Sequence, residues 1–385
     1  MHHFPSPIPS KLPAITSSIF VTMSQMAHAH QAINLAQGFP GFDCAQELKD
    51  LVCHYIYAGH NQYAPMAGVM ALREAIAKKV EKLYSAVYDP EKEITITAGA
   101  TQAIFTAIHA IVRESDEVIV IEPAYDCYAP AIELAGGKTV FFQLNPENYS
   151  VNWAEFQKLI NPRTRMIIIN TPHNPTGSVL SAADMLKLDK LTKNSDIVIL
   201  SDEVYEHILF DGFEHQSVSR FPNLANRSFV VSSFGKTYHT TGWKLGYCLA
   251  PEKLMVEFRK VHQFNVFSAN TPIQHAYADY LNKPEEYLKL DSFYQQKRDF
   301  FCQLFQGSRW TFKPASGSYF QLLNYSNISK ENDIEFAKKL IVESGVASIP
   351  ISVFYHKMKD NYNLRFCFAK ENDELERAAE KLLKL

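Results

Sequence analysis

The chain has 385 residues, more than one ordinary domain core requires, so two lobes are expected. Its 46% hydrophobic and 21% charged residues exclude a disordered or fibrous chain, and 38 Lys and Arg against 41 Asp and Glu give a net charge of −3, with no basic excess to meet nucleic-acid phosphates. No apolar run is long enough to span a bilayer, Met1 to Pro13 holds no apolar secretory core, and the six cysteines form no C-x-x-C pair, so a soluble protein of the reducing cytoplasm is expected.

In chain order, Ala71–Tyr84 reads as a helix, Ile94–Thr97 as a strand, Thr101–Val112 as a helix, and Val118–Ile121, Met166–Ile169, Ile197–Leu200 and Phe229–Val231 as strands. Most of these runs are unbroken Ile and Val. That pattern suits strands buried on both faces, hence an α/β fold whose parallel sheet is covered by helices through right-handed crossovers. The remainder changes character. Pro284–Phe305 reads as one long helix, Ser318–Leu322 and Leu364–Phe368 as strands, and Asp333–Glu343 and Asn372–Leu385 as helices. Two domains are expected: a large one over 45–278, and a smaller α+β one from 1–44 and 279–385.

In open α/β sheets ligands bind beyond the strand ends, so the residues that follow each run are the candidates. After the first run, Gly99-Ala100-Thr101 opens a helix; such a start suits a phosphate, or is an ordinary cap. After the second comes Tyr125, able to stack on a flat ring or simply to pack. After the third, Asn170-Thr171-Pro172-His173-Asn174-Pro175-Thr176-Gly177 is more rigid and irregular than a plain turn needs. After the fourth, Asp202 is a carboxylate at the tip of a buried strand, costly unless it meets a cation. After the fifth, Ser233 precedes Lys236. A structural Asp202–Lys236 ion pair is the plain alternative.

Gly235-Lys236-Thr237 invites a nucleotide P-loop reading, but that motif needs Gly at 230, where Val230 stands; no G-x-G-x-x-G follows any strand, and no histidine spacing suggests a metal site. One chemistry uses a lysine, a carboxylate, an aromatic plate, an Asn, a Tyr and a phosphate nest together. That is a pyridoxal phosphate site, in which the lysine forms a Schiff base and the carboxylate partners the pyridinium nitrogen.

The motifs Asn174-Pro175-Thr176-Gly177, Ser201-Asp202-Glu203-Val204-Tyr205, Ser232-Ser233-Phe234-Gly235-Lys236 and Thr241-Gly242-Trp243-Lys244-Leu245-Gly246-Tyr247 resemble the fold type I, class I/II pyridoxal-phosphate aminotransferases. With Ala36-Gln37-Gly38-Phe39-Pro40, Asn61-Gln62-Tyr63, Ile349–Tyr355 and Leu364–Phe368 the likeness covers nearly the whole chain. It points to the kynurenine/glutamine-transaminase branch, and there to the bacterial methionine aminotransferases.

The resemblance implies roles. Lys236 would carry the cofactor and act as acid and base. Asp202 would hold the pyridine nitrogen protonated, Asn174 and Tyr205 would bind the ring's 3-oxygen, and Tyr125 would stack. Ala100, Thr101, Ser233 and Lys244 would hold the phosphate, and Tyr63 would reach it from the partner of a homodimer. Arg365 would clamp the substrate carboxylate, helped by Asn174 and Gly38. Lys244 stands where many relatives carry Arg, and Tyr125 where Phe is common; Lys keeps the attraction and loses the two-pronged geometry.

The implied reaction passes the amino group of methionine, glutamine or an aromatic amino acid, including kynurenine, to a 2-oxo acid. A C–S β-lyase on the same site is the alternative. A ligand-sensing regulator is disfavoured because the pattern begins near Ile33. Phe264–Gln274, where aspartate-type enzymes hold a second carboxylate with an arginine, contains no Lys or Arg. Phe20, Phe39, Tyr63, Phe267 and Phe354 are candidates for an aromatic pocket instead.

Overall fold

The computed structural model describes residues 6, 8–13, 15 and 18–385; the expectation for the segment 1–44 lies, at 1–5, 7, 14, 16 and 17, outside the described residues. Twelve strands are found among the described residues: β1 (Ile33–Asn34), β2 (Ile94–Thr97), β3 (Glu117–Glu122), β4 (Lys138–Gln143), β5 (Thr164–Asn170), β6 (Val198–Asp202), β7 (Ser228–Ser233), β8 (Gly246–Leu249), β9 (Phe320–Asn324), β10 (Val346–Ala347), β11 (Ile349–Pro350) and β12 (Asn363–Cys367).

Seven of them form one sheet in the order β2-β8-β7-β6-β5-β3-β4, in which β8 alone runs against the others. Both faces are covered, which explains the unbroken apolar runs. Along β3, Val118 and Val120 pack with Ile104 and Ile108 of the helix Ala100–Ile111, while Ile119 and Ile121 share the opposite core with Ile76 and Val80 of the helix Met70–Tyr84. The fold is the expected α/β one with a mostly parallel central sheet.

A second, separate core underlies an antiparallel sheet of β11, β12 and β9 and the parallel pair β1–β10. The N-terminal segment enters this core through Met23, Ala27, Leu35 and Ala36. The predicted long helix is divided at Lys289 into Glu285–Leu288 and Leu290–Leu304. Tyr287 belongs to the first core and Leu290 to the second, so the chain bends where it passes between them. Ser318 has φ +61 and is a turn residue, which starts β9 two residues later than predicted. The helix predicted over Asp333–Glu343 is α-helical to Lys339 and π-helical over Leu340–Ser344.

Candidate active site

The parallel strands deliver their C-terminal ends to one cleft. It is lined by Gly99, Ala100, Thr101, Tyr125, Asn170, Asn174, Asp202, Tyr205, Ser233, Lys236, Thr241 and Lys244, among others. At one end β2 turns into the helix Ala100–Ile111 through Gly99, whose φ of +84 favours glycine. That helix has no acidic residue in its first turn and no side-chain cap, so its first N–H groups and positive dipole end face the cleft uncompensated. A Cβ at Gly99 would lie 3.6 Å from Cε and Nζ of Lys244, so the ammonium folds directly over the helix start. With Thr101 and Ser233 beside it, this end is a built anion cradle.

At the other end Asp202 finishes β6 with only 4% of its surface exposed. Its Oδ2 accepts a 2.5 Å hydrogen bond from the Tyr128 hydroxyl, and the Val204 amide donates weakly to Oδ1 at 3.4 Å. Burial pushes its carboxyl up to about 6 despite those bonds. Asn170, at the end of β5, donates from Nδ2 to the Asp202 carbonyl (2.9 Å) and accepts from the Asn174 amide (2.8 Å), tying the Asn174 loop to β6.

The turn carrying Asp202 and Tyr205 is anchored from beneath. Ser201 Oγ (2.7 Å) and the Val218 amide (3.1 Å) donate to the Glu203 carboxylate, and His215 lies 2.7 Å away from it. Lys79 Nζ (2.7 Å), Tyr84 OH (2.5 Å) and Tyr247 OH (3.1 Å) donate to the Glu206 carboxylate. Burial acts to raise the Glu206 carboxyl, but Lys79 and these bonds overcome it and hold the group below the ordinary carboxylate range.

Lys236 lies on the short turn Phe234–Thr237 after β7. Its Nζ donates to the Gly38 carbonyl and the Tyr319 hydroxyl, both at 3.0 Å, rather than to Asp202. The plain ion-pair alternative is therefore not what the structure contains. Burial lowers its amine to about 8, so a useful fraction is neutral near physiological pH.

Arg365, on β12, is 1% exposed. Nη1 donates to Asn174 Oδ1 (2.7 Å) and Nη2 to the Ala36 carbonyl (3.0 Å), while Nε is buried without a partner. Its guanidinium lies 3.9 Å from the Phe320 ring centre, 5.3 Å from that of Phe20 and 5.4 Å from that of Phe354. Burial lowers it to about 10, which leaves it charged at neutral pH.

The family model of class I and II aminotransferases matches residues 30–382. The chain belongs to the class I and II aminotransferases. It is 50% identical to the methionine aminotransferase of Escherichia coli over 377 residues, 98% of each chain, and 31% identical to human kynurenine–oxoglutarate transaminase 1, 97% of each. The crystal structure of YbdL from Escherichia coli, reported with a methionine aminotransferase function, superposes with a TM-score of 0.97 at 49% identity, covering 99% of this chain and 100% of that one.

Class I and II aminotransferases use pyridoxal phosphate, and the cleft fits it. The uncapped helix start under Lys244 suits a phosphate dianion, and Asp202 is a buried carboxylate lacking the cation that such a group needs. The nine within-chain cofactor candidates, Ala100, Thr101, Tyr125, Asn174, Asp202, Tyr205, Ser233, Lys236 and Lys244, all line the cleft of this aminotransferase. Gly38 meets it through its carbonyl on Lys236, and Phe20 and Phe354 stand edge to face at 5.9 Å beside Arg365.

Three candidates stand elsewhere. Phe39 is 43% exposed, with Lys370 Nζ 4.6 Å from its ring centre. Tyr63 is 83% exposed and pairs edge to face with Phe267, outside the cleft within one chain. Sequence reasoning assigned no role to Asn170, Tyr128 or Tyr319. Asn170 sits within the Asn170–Gly177 loop and Tyr128 three residues past Tyr125, both readable signals; Tyr319 comes from the second core and gave none.

Proposed function

We propose that this aminotransferase uses methionine as a good amino donor, accepts glutamine and aromatic amino acids including kynurenine, and uses aspartate poorly. The observation that carries the reading is the Arg365 guanidinium walled by Phe20, Phe320 and Phe354 with its Nε free; the stretch 264–274, moreover, contains no Lys or Arg. Such a site binds one carboxylate and offers the rest of the substrate aromatic surface, against which a thioether packs well. A second carboxylate would be desolvated without a partner. The likeness to the Escherichia coli methionine aminotransferase supports the same choice.

In this reading pyridoxal phosphate supplies an aldehyde that condenses with amines and a protonated ring that withdraws electrons from the substrate's Cα. Lys236 would attach the cofactor, then serve as the base that takes the Cα proton and the acid that delivers it to the cofactor's C4′ carbon. Asp202 would keep the ring nitrogen protonated, and Tyr128 holds Asp202 in place. Asn174 and Tyr205 would bind the ring's 3-oxygen and Tyr125 would stack on the ring. Ala100, Thr101, Ser233 and Lys244 would hold the phosphate. Arg365, with Asn174 and Gly38, seats the substrate carboxylate.

We further propose a homodimer in which the exposed Tyr63 reaches the phosphate of the neighbouring subunit, with 45–278 as the large domain and 1–44 with 279–385 as the small one. The six unpaired cysteines support a cytoplasmic enzyme.

The test is kcat/KM for methionine, phenylalanine, kynurenine and aspartate against one fixed 2-oxo acid. Methionine and the aromatic donors should fall within about two orders of magnitude of one another, since an apolar pocket discriminates by about 10–200-fold per methylene, with aspartate well below all three. Aspartate as the best donor would overturn the proposal.

A further inference from the structure

A lysine that both bonds a cofactor and carries a proton needs a defined place for its amine when it is not bonded. Two oxygens surround Lys236 Nζ: the Gly38 carbonyl and the Tyr319 hydroxyl, each at 3.0 Å. The two are themselves joined, because the Tyr319 hydroxyl donates to the Gly38 carbonyl at 2.6 Å. With its one proton committed there, Tyr319 presents lone pairs to the amine and can only accept from it.

The triangle is rigid. Tyr319 is fully buried and packs against Tyr205 at 5.1 Å and 83° between ring planes, against Phe320 at 5.0 Å, and against Tyr294 at 5.8 Å. Its backbone carbonyl accepts from the Phe368 amide at 3.1 Å, fixing it to the end of β12. Gly38 is equally confined, since a Cβ there would lie 2.8 Å from the Phe320 ring.

We propose that Tyr319 is a further catalytic residue of this site: its hydroxyl oxygen, with the Gly38 carbonyl, receives the ammonium of Lys236 after it has taken the substrate's Cα proton, and holds it in place until that proton is delivered to the cofactor carbon. This rests on Lys236 being the cofactor lysine. In the step a C–H bond of the substrate breaks, its electron pair is drawn toward the electron-withdrawing cofactor ring, the lone pair of the neutral Lys236 amine takes the proton to form an N–H bond, and Tyr319 keeps its own proton throughout. Two acceptors favour the charged amine and offset part of the burial that disfavours it. The other ionisable groups acting on this amine are Cys367, Arg365, Lys244 and Asp202; Tyr205, Tyr294 and Cys367 face Tyr319. None of them supplies a hydrogen bond to Nζ in its place.

The experiment compares wild type with Tyr319→Phe and, as a control, Tyr294→Phe, whose hydroxyl is buried without a partner and lies on neither Lys236 nor Gly38. The first readout is the pH midpoint of Lys236 labelling by fluorodinitrobenzene in the full chain without cofactor, followed by mass spectrometry. Loss of one acceptor from an ammonium should lower the midpoint by about one pH unit, tenfold in proton affinity, in Tyr319→Phe and leave it in Tyr294→Phe. The second is the deuterium isotope effect on kcat with α-deuterated methionine in the holoenzyme, expected to rise in Tyr319→Phe with KM little changed.

An unchanged midpoint and isotope effect, or equal shifts in both variants, would make Tyr319 plain core and overturn the assignment. A crystal structure of the wild-type chain with the Tyr319 hydroxyl beyond hydrogen-bond reach of Lys236 would do the same even if the variant failed to fold. Borohydride trapping of the cofactor on a different lysine would instead overturn the role of Lys236 itself, which keeps the two failures distinct.

Discussion

Asp202→Asn should stabilise the cofactor-free chain while crippling the enzyme. The wild-type carboxyl is raised from 3.8 to about 6 by burial, so the folded chain binds this proton more tightly than the unfolded chain does. The stability contributed by a raised carboxyl is fully present below its unfolded value and is lost as pH rises from about 4 through 6. That displacement corresponds to about 3 kcal/mol at neutral pH. Asparagine removes the charge and keeps an oxygen for the Tyr128 hydroxyl, but adds an amide that needs a partner of its own; the net gain should be about 1–3 kcal/mol. The assay is urea unfolding of both proteins without cofactor, at one protomer concentration, at pH 4 and pH 7.5. The variant should be the more stable at pH 7.5, with the gap closing toward pH 4. On adding pyridoxal phosphate the order should reverse, because only the carboxylate gains a cation, and kcat of the variant should fall at least about a hundredfold. A variant that is less stable without cofactor at pH 7.5, or a gap independent of pH, would refute the argument that Asp202 is a charge waiting for a partner.

Arg365→Lys keeps the charge but not the fork, so kcat/KM for methionine should fall about 10–100-fold, mostly through KM, in steady-state assays. An unchanged KM would remove the residue from carboxylate binding. Tyr63→Phe should leave the protein dimeric by light scattering while weakening cofactor affinity about tenfold in a fluorescence titration; an active monomer, or no change in affinity, would contradict the cross-subunit contact.

Much of this architecture was legible because burial on both faces writes itself into sequence. β3, β5, β6 and β7 each contain an uninterrupted apolar run, and Asp202 and Lys236 stand out as charges after such runs. β4 was not seen, since it lies at the sheet edge, is partly exposed, and carries Lys138, Thr139 and Gln143 among its apolar residues. β8 is not among the predicted strands, because Gly246-Tyr247-Cys248-Leu249 has no Ile or Val to mark it.

At the site, residues adjacent in sequence to a strand end were found. Those delivered through tertiary packing were not. Tyr319 meets Lys236 across 83 positions of the chain, and no local pattern marks it. Arg365 was found only through the resemblance, although a charge flanked by Leu364, Phe366 and Phe368 is itself unusual.

The central claim is most directly tested by mixing the purified holoenzyme with methionine and no acceptor. One equivalent of the corresponding 2-oxo acid per active site should appear with no ammonia or methanethiol, turnover should resume only when a 2-oxo acid is added, and Lys236→Ala should show neither event. Continuous release of ammonia or a thiol without acceptor, or full activity in Lys236→Ala, would contradict an aminotransferase built on this lysine.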